Sequence, residues 1–159
     1  SDVYKRQDSN ILYGKPEITD AQVKEAAEVA QATEFIDTKP EKYESPVSQG
    51  GTNVSGGQKQ RLSIARAIAK DPEIFIFDDS FSALDFKTDS QLRKALKEYT
   101  KDATTVIVAQ RISTILGADQ IIVLDDGHMA GIGTHKELMA NCEVYQQIAR
   151  SQLSEEELA

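Results

Sequence analysis

The 159-residue chain is 40% hydrophobic and 28% charged, a composition typical of a folded globular domain and not of a disordered segment. It carries 18 Lys and Arg against 26 Asp and Glu, a net charge of -8, which disfavours nucleic-acid binding because phosphate contacts need clustered positive charge. The single cysteine, Cys142, excludes an intrachain disulfide and fits a cytosolic setting. No stretch approaches the roughly 20 consecutive apolar residues that a membrane-spanning helix needs.

The N-terminal part of the chain is predicted to be mostly helical. Residues 1–8 show no clear periodicity and are left unassigned, as a candidate artefact outside the fold. Thr19 is a helix cap, and the apolar residues of Val23–Ala30 are spaced i, i+3, i+4 and i+7, which predicts an amphipathic helix. Residues 38–55 are rich in Pro, Ser and Gly and predict a loop, and a second helix follows over Gln58–Ala69.

The middle of the chain is predicted to alternate strand, helix and strand. Ile74–Asp78 is apolar at its first four positions, which predicts a strand buried on both faces. A helix with Leu92 and Leu96 on its apolar face follows, and Thr104–Ala109 predicts a second buried strand. This alternation predicts an α/β fold, in which a parallel sheet is flanked by helices.

The C-terminal part is predicted to hold a hairpin followed by helices. A short helix carries Ile112, and Ile121–Leu124 predicts a third strand. The turn at Asp125–Gly127 leads into a short fourth strand. Thr134–Glu137 has capping-box spacing and opens the last helical region, which ends in the acidic tail 154–157.

A short polar stretch, Ser55, Gly56, Gly57 and Gln58, stands directly before an amphipathic helix. The start of a helix exposes unpaired N–H groups and the positive end of the helix dipole. Two glycines let the backbone approach an anion closely, and a serine adds a hydroxyl group. The stretch therefore fits a phosphate-binding cap, but taken alone it also fits an ordinary turn before a helix.

Two carboxylates, Asp78 and Asp79, stand at the end of the first predicted strand. Ligands of α/β sheets bind beyond the carboxyl ends of the strands, and Gln110 falls just past the end of the next strand. Because desolvating a charge is costly, holding Mg²⁺ beside nucleotide phosphates would explain the pair. A helix cap or a turn acid is the structural alternative.

The combination of these stretches is more specific than any one of them. Residues 53–61, Asn-Val-Ser-Gly-Gly-Gln-Lys-Gln-Arg, resemble the signature motif of ABC ATPases. Ile74–Asp78 resembles the Walker B strand of that family, residues 82–85 resemble its D-loop, and Gln110 stands at its switch-histidine position. Four motifs in the family's order and spacing identify the chain as a member of the ABC ATPase family, over about residues 9–152.

Further stretches resemble exporters within this family more than importers. Asn10–Gly14 is similar to the exporter segment that follows the Q-loop, and Gly131–Leu138 is similar to the exporter C-terminal region. Ser48–Gly51 occupies the stretch that exporters use near the coupling helices, with Gln49 at the usual glutamate. The resemblance divides the chain into a mostly helical signature segment (9–70), a Walker B, D-loop and switch core (71–135), and C-terminal helices (136–159).

The phosphate-binding loop G-x-x-x-x-G-K-[ST] does not occur in the chain. The family carries this Walker A loop upstream, so the chain is expected to be a partial P-loop NTPase-like domain that begins after the Walker A and Q-loop. In the family, two domains meet head to tail. The resemblance therefore implies that residues 55–58, with Asp85 of the D-loop, contact ATP held by a partner domain, whereas Asp78 serves Mg²⁺ at the chain's own site. A helix cap is the alternative role for Asp85.

Two positions of that own site depart from the family's pattern. Asp79 stands where the family has its general-base glutamate and is one methylene shorter, and a misplacement of ~1 Å can cost on the order of 100-fold in rate. Gln110 replaces the switch histidine, and an amide can donate a hydrogen bond but cannot titrate. With an intact signature, this pairing resembles the degenerate-site half of a heterodimeric multidrug-type exporter. Tolerated drift with activity retained is the alternative.

The resemblance implies an ATP-binding and ATP-hydrolysing subunit that powers export, with ATP and Mg²⁺ as cofactors, at the cytoplasmic face of the cell membrane. Its expected partners are a second nucleotide-binding domain and a transmembrane permease domain fused upstream, with no nucleic acid. The chain by itself is expected to be inactive. The alternatives are a nucleotide-gated dimerisation module with little hydrolysis and a soluble ABC ATPase outside transport.

Overall fold

The computed structural model describes residues 5–14 and 17–154. Residues 1–4 of the unassigned N-terminal segment and residues 155–157 of the predicted acidic tail lie outside the described residues. The chain forms two compact units, Ser1–Val106 and Ile107–Ala159. The three segments defined by the motifs, with bounds after residues 70 and 135, follow the order of the motifs and stay a prediction. In the described ranges, no helix is both long and apolar enough to cross a membrane.

The described part of the first unit is built around five helices: α1 (Gln7–Ile11), α2 (Asp20–Val29), α3 (Thr33–Asp37), α4 (Gly56–Ala69) and α5 (Phe86–Tyr99). Helix α2 begins at a capping box in which Thr19 and Gln22 exchange hydrogen bonds, as the sequence predicts for Thr19. Helix α4 buries Leu62, Ala65, Ile68 and Ala69 and begins two residues before the predicted Gln58. Helices α2 and α4 pack against each other and contribute buried side chains to the core of this unit.

Residues 5–8 belong to this unit, although the sequence pattern left them unassigned. The strand β1 (Lys5–Arg6) pairs antiparallel with β2 (Pro46–Val47), which lies inside the predicted loop 38–55. The next residue, Gln7, is fully buried, and its N–H donates to the carbonyl of Ser45 at 3.1 Å. Periodicity could not reveal these residues, because they are held by a partner about 40 positions away and not by a repeating pattern.

The strands β3 (Ile74–Asp78) and β4 (Thr104–Val108) are hydrogen-bonded neighbours, and α5 connects them in sequence. The fragment is an α/β structure with a parallel sheet flanked by helices, which confirms the predicted fold class. The prediction that these strands are buried on both faces is wrong for this chain. Phe75 and Phe77 are buried, whereas Ile74 is 58% exposed and Ile76 is 69% exposed. Only one face of β3 packs against the core of the described residues, and the other is open to solvent.

The second unit carries a hairpin beneath two helices. Its described elements are α6 (Ile112–Ile115), β5 (Ile121–Asp125), β6 (His128–Gly133), α7 (His135–Asn141) and α8 (Glu143–Gln152). The strands β5 and β6 pair antiparallel around the predicted turn, from Ile121 opposite Gly133 to Asp125 opposite His128. Thr134 and Glu137 form the predicted capping box of α7. Buried Leu138, Cys142 and Tyr145 from α7 and α8 pack with the strand residues Ile121 and Val123.

Candidate functional site

The N-terminus of α4 is closed by a complete capping box. Ser55 has an extended backbone, and its Oγ accepts a hydrogen bond from the N–H of Gln58 at 3.2 Å. In return, the N–H of Ser55 donates to Oε1 of Gln58 at 3.0 Å. Gln58 is therefore engaged in holding the helix start, a role that its predicted contact with nucleotide did not include.

The two glycines between these residues carry the remaining donors of the first turn. Helix geometry gives the N–H groups of Gly56 and Gly57 no acceptor within α4 itself. Ser55 and Gly56 are exposed to solvent, and Gly57 is half-buried. The tip of α4 therefore offers an anion two backbone donors at the positive end of a 14-residue helix.

Gly57 is also required because the backbone of the loop after β3 lies very close to it. A Cβ atom placed on Gly57 would lie 2.9 Å from the carbonyl oxygen of Ala83, which is too close for any real Cβ contact. A Cβ atom on Gly56 would lie 3.5 Å from the Cβ of Ala83, an ordinary contact distance. The helix tip thus packs directly on the loop that follows β3.

The strand β3 ends at the two predicted carboxylates. Asp78 is its last residue, Asp79 follows it, and both are exposed. Asp79 has a φ of 47°, in the left-handed region that Asp enters more readily than most residues because its short side chain can bond locally. The chain turns sharply away from the sheet at this residue.

The exposed Asp78 carboxylate fits the predicted magnesium site. In the described ranges, no group of three or more His, Cys, Asp and Glu residues is arranged to hold a metal ion. Mg²⁺ at nucleotide sites needs no such cage, because it is bound by one or two carboxylates together with phosphates and water. The chain supplies an oxygen ligand of the right kind, and the remaining ligands would come from a nucleotide and solvent.

The loop after β3 is anchored on one side by apolar packing. Phe81 and Leu84 are both buried. The ring of Phe81 lies 5.6 Å from the ring of Phe77 on β3, centroid to centroid. These two anchors hold residues 79–84 beneath the tip of α4 while Ser82 and Ala83 stay exposed between them.

The same loop is held from above by Gln60 of α4. Oε1 of Gln60 accepts a hydrogen bond from the N–H of Ala83 at 2.9 Å. Nε2 of Gln60 donates to the carbonyl of Asp79 at 3.2 Å and to Oγ of Ser82 at 3.1 Å. Gln60 belongs to the signature stretch of residues 53–61, but the sequence pattern assigns no role to it. These partners lie 19 to 23 residues away, so neither periodicity nor spacing could reveal them.

Asp85 closes the loop and begins the next helix. Its Oδ1 accepts the N–H of Thr88 at 3.0 Å, which makes it the N-cap of α5. The hydrogen bonds from Thr88 hold the pKa of the Asp85 carboxyl below its usual range. Asp85 and Gln58 also border one open cavity of about 430 Å³, together with the cationic side chains of Arg61 and Lys87.

Gln110 lies in the second unit, in the connection between β4 and α6, and is exposed. Its carbonyl accepts a hydrogen bond from Nε2 of Gln152 on α8 at 2.9 Å. Oε1 of Gln152 accepts the N–H of Ile112, also at 2.9 Å. One amide of α8 thus fixes the backbone on both sides of the turn that carries the Gln110 side chain.

The predicted site residues therefore fall into two groups. The first unit brings together the helix tip of residues 55–58 and the loop of residues 78–85, through Gly57 and Gln60. Gln110 belongs to the second unit, which is a separate compact body. The structure adds Gln60 and Ala83 to the residues that build the site.

Known proteins share this sequence and this fold. Two Staphylococcus aureus proteins, from strains NCTC 8325 and Mu50, are described as multidrug export ATP-binding/permease proteins and are 48% identical over 139 residues, 87% of this chain and 24% of theirs. A bacterial Atm1-family ABC exporter solved with ATP bound is 35% identical, with a TM-score of 0.91 over 96% of this chain and 27% of that one. The chain thus spans about a quarter of the length of the relatives that it matches.

A profile of the ABC transporter family matches residues 3–82, about half of the chain. This range includes the capped tip of α4, the strand end at Asp78 and Asp79, and residues 80–82 of the loop that packs against the helix tip. It agrees with the motifs identified in the sequence and with the fold shared with the solved exporter. The chain belongs to the ABC transporter family.

Proposed function

We propose that this chain is part of an ATP-binding and ATP-hydrolysing subunit that powers export across a membrane. The observation that carries the proposal is the tip of α4. Ser55 and Gln58 fix the helix start by exchanging hydrogen bonds, and the N–H groups of Gly56 and Gly57 are left to bind an anion. A nucleotide phosphate is the anion that suits the chain's family.

The tip of α4 acts on a nucleotide that is gripped by a second domain. The tip of α4 offers a phosphate only the N–H groups of Gly56 and Gly57, so the phosphates need further ligands, which a second domain supplies. Asp85 stands at the exposed start of α5, beside the same cavity as Gln58. Residues 55–58 and Asp85 together form the surface that this chain presents to the partner's ATP.

Hydrolysis is the attack of water on the γ-phosphate, and its rate depends mainly on positioning and electrostatics. At the chain's own site, Asp78 would hold Mg²⁺, which neutralises charge on the phosphate oxygens when it is bound. Asp79 would orient the attacking water and accept its proton, and the Gln110 side chain would donate a hydrogen bond to the γ-phosphate. The side chains of Asp78 and Asp79, which follow each other at the end of β3, are both exposed and so are accessible to a metal ion and to water.

The own site turns over slowly, and the chain works in a heterodimer. A carboxylate that is one methylene short places the base away from the water, and an amide at residue 110 brings no positive charge to the transition state. The signature tip is complete. The partner therefore supplies Glu and His at the corresponding positions, and its competent site is completed by residues 55–58 of this chain.

The membrane-embedded part of the transporter is a permease domain fused to this one. The Staphylococcus aureus relatives combine an ATP-binding part and a permease part by their description, and this chain matches about a quarter of their length. By analogy, the ATPase domain works at the cytoplasmic face of the cell membrane, and drug-like molecules are the first substrates to test.

A second function is favoured by Asp79 and Gln110 themselves. If neither residue supports hydrolysis, ATP at the own site serves only to hold two domains together, and the chain is a nucleotide-gated dimerisation module. Turnover at the partner's site distinguishes the two functions, since a purely gating assembly would bind ATP without releasing phosphate.

The proposal is tested by phosphate release from the full-length protein that carries this chain. It should be assayed alone and with a partner domain that has Glu and His at the positions of Asp79 and Gln110. We expect the mixed assembly to hydrolyse ATP at least about 10-fold faster than the protein alone, because only the partner's site has both groups. Equal and negligible rates in both assays would contradict the proposed function.

The isolated chain offers a simpler test of the division of labour. Without a lysine loop to hold the phosphates, it should bind ATP weakly, with a dissociation constant on the order of 1 mM or higher. Calorimetric titration of the 159-residue chain measures this. A micromolar affinity would show that the helix tip does not depend on a partner.

A further inference from the structure

The Gln60 side chain is fully used by a single loop. It lies one turn into α4 and is half-buried. Its oxygen accepts the N–H of Ala83, and its nitrogen donates to the Asp79 carbonyl and to Oγ of Ser82, at distances from 2.9 to 3.2 Å. An amide placed between a donor on one side and acceptors on the other satisfies all of them at once.

These hydrogen bonds form a closed network, because the partners of Gln60 also bond to each other. Oγ of Ser82, which accepts from Gln60, itself donates to the Asp79 carbonyl at 3.2 Å. That carbonyl belongs to the residue with the left-handed backbone. The network therefore stabilises the sharp turn at Asp79, a conformation that is costly for a residue with a side chain.

Ala83 is held by α4 at both ends of its backbone. Its N–H is bonded to Gln60, and its carbonyl oxygen approaches the Cα of Gly57 so closely that a Cβ atom there would lie at 2.9 Å. Residues 57 and 60 are three apart and lie on the same face of the helix. One face of the signature helix thus grips one residue of the loop at two points.

We propose that Gln60 is a positioning residue that makes the tip of α4 and the loop of residues 79–85 move as one piece. It keeps Asp85 at a fixed position relative to Ser55, so that both residues contact the partner's nucleotide at the same time. This role in turnover rests on the proposed function, whereas the link between the helix and the loop is a property of the chain alone.

Two variants separate the parts of this link. Gln60→Ala removes all three hydrogen bonds. Gln60→Glu keeps the size of the side chain and the bond from the Ala83 N–H, but it cannot donate to the Asp79 carbonyl at neutral pH. The matched control is Gln147→Ala, since Gln147 is exposed on α8 and bonds only weakly to Glu143 at 3.4 Å.

The first measurement is hydrogen exchange of the Ala83 amide in the 159-residue chain, without ATP. We expect Gln60→Ala to speed this exchange at least about 10-fold, because the acceptor of that N–H is lost, while Gln60→Glu and Gln147→Ala leave it near the unsubstituted rate. Unchanged Ala83 exchange in Gln60→Ala would overturn the link itself.

The second measurement is ATP turnover by the full-length protein with its partner domain. We expect Gln60→Ala to lower kcat about 10-fold with KM for ATP changed less than about 2-fold, because the loop is misplaced only while the transition state forms. Gln60→Glu should lower kcat at least about 3-fold, and it carries the test if Gln60→Ala does not fold. Unchanged kcat in Gln60→Ala with a freely exchanging Ala83 amide, or unchanged kcat in Gln60→Glu, would overturn the positioning role. If the unsubstituted assembly hydrolysed no ATP, the proposed function and this role in turnover would fall together, and hydrogen exchange would still decide whether Gln60 holds the loop.

Discussion

The tip of α4 and the end of β3 differ in how completely this chain builds them. At the helix tip, Ser55 and Gln58 satisfy each other, Gly57 packs on Ala83, and Gln60 holds the loop below. At the strand end, the Asp78 and Asp79 side chains are exposed, and one face of β3 is open to solvent. The helix tip is therefore held in place by neighbouring side chains of the same unit, whereas the two carboxylates at the strand end face solvent.

This difference indicates which function the chain can carry by itself. A preorganised helix tip needs only an incoming phosphate, because its donors are already fixed. A magnesium site with one carboxylate needs a nucleotide that other residues hold. Among the described residues, the tip of α4 is therefore better prepared to bind a phosphate than the end of β3 is to bind Mg²⁺.

The largest expected effect comes from blocking the helix tip. In the full-length assembly, Ser55→Arg should lower ATP turnover on the order of 100-fold, because a long side chain displaces the phosphate from the Gly56 and Gly57 donors. The matched control is Ser63→Arg, at an exposed position of the same helix, which should leave turnover unchanged. Near-normal turnover of Ser55→Arg would mean that the tip of α4 does not act on the nucleotide.

The next effect concerns the close approach beneath the tip. Gly57→Ala should lower the free energy of unfolding by about 1–3 kcal/mol, because the new methyl group meets the Ala83 carbonyl. Gly56→Ala gains the same helix propensity without this clash, and its stability should be unchanged or raised by up to about 1 kcal/mol. Urea unfolding of both variants measures the difference, and equal stabilities would show that the helix tip and the loop are not tightly packed.

A smaller effect of opposite sign is expected where the chain buries polar atoms without partners. Both polar atoms of the Gln7 side chain are buried and have no hydrogen-bond partner among residues 5–14 and 17–154. Gln7→Leu should therefore raise the free energy of unfolding by about 1–2 kcal/mol, since an unsatisfied amide is replaced by an apolar group of similar size. Exposed Gln147→Leu should change it by less than about 0.5 kcal/mol. A destabilised Gln7→Leu would mean that the Gln7 amide is satisfied in solution.

The smallest effect is a pH dependence at the start of α5. Because the folded-state pKa of Asp85 is depressed, its hydrogen bonds with Thr88 add stability above its usual pKa of about 3.8, and this contribution is lost as the pH falls through the lower folded value. Asp85→Asn keeps a good N-cap that does not titrate. Unfolding midpoints at pH 7 and pH 2.5 should therefore drop less in this variant than in the unsubstituted chain, and an equal drop would contradict the assignment.

The sequence predicted well the features that depend on residues close together in the chain, such as helix starts and turns. Thr19 and Thr134 begin helices because a side chain three positions later completes each capping box. Ser55 forms the same motif at the start of α4, which begins at Gly56, two residues before the predicted start at Gln58. The turn after β5 and the buried face of α4 follow from equally local patterns. The α/β order was also predictable, since it needs only the sequence of elements.

What the sequence could not predict depends on distant partners. Ile74 and Ile76 are as apolar as a doubly covered strand requires, but covering depends on what packs against each face of the sheet. The link from Gln60 to Ala83 joins residues 23 apart. Lys5 and Arg6 pair with β2, far along the chain. No periodicity marks such contacts, because they arise only after the chain has folded.

The central claim is that this chain completes a partner's site while its own site contributes little turnover. The most direct test is the ATPase rate of the full assembly carrying Asp79→Asn, a change that removes the carboxylate and keeps the size of the side chain. We expect the variant to retain at least about half of the unsubstituted rate, since the general base of the partner's site activates the water in most turnovers. Loss of nearly all turnover in Asp79→Asn would show that this chain's own site drives hydrolysis, and the account would be wrong.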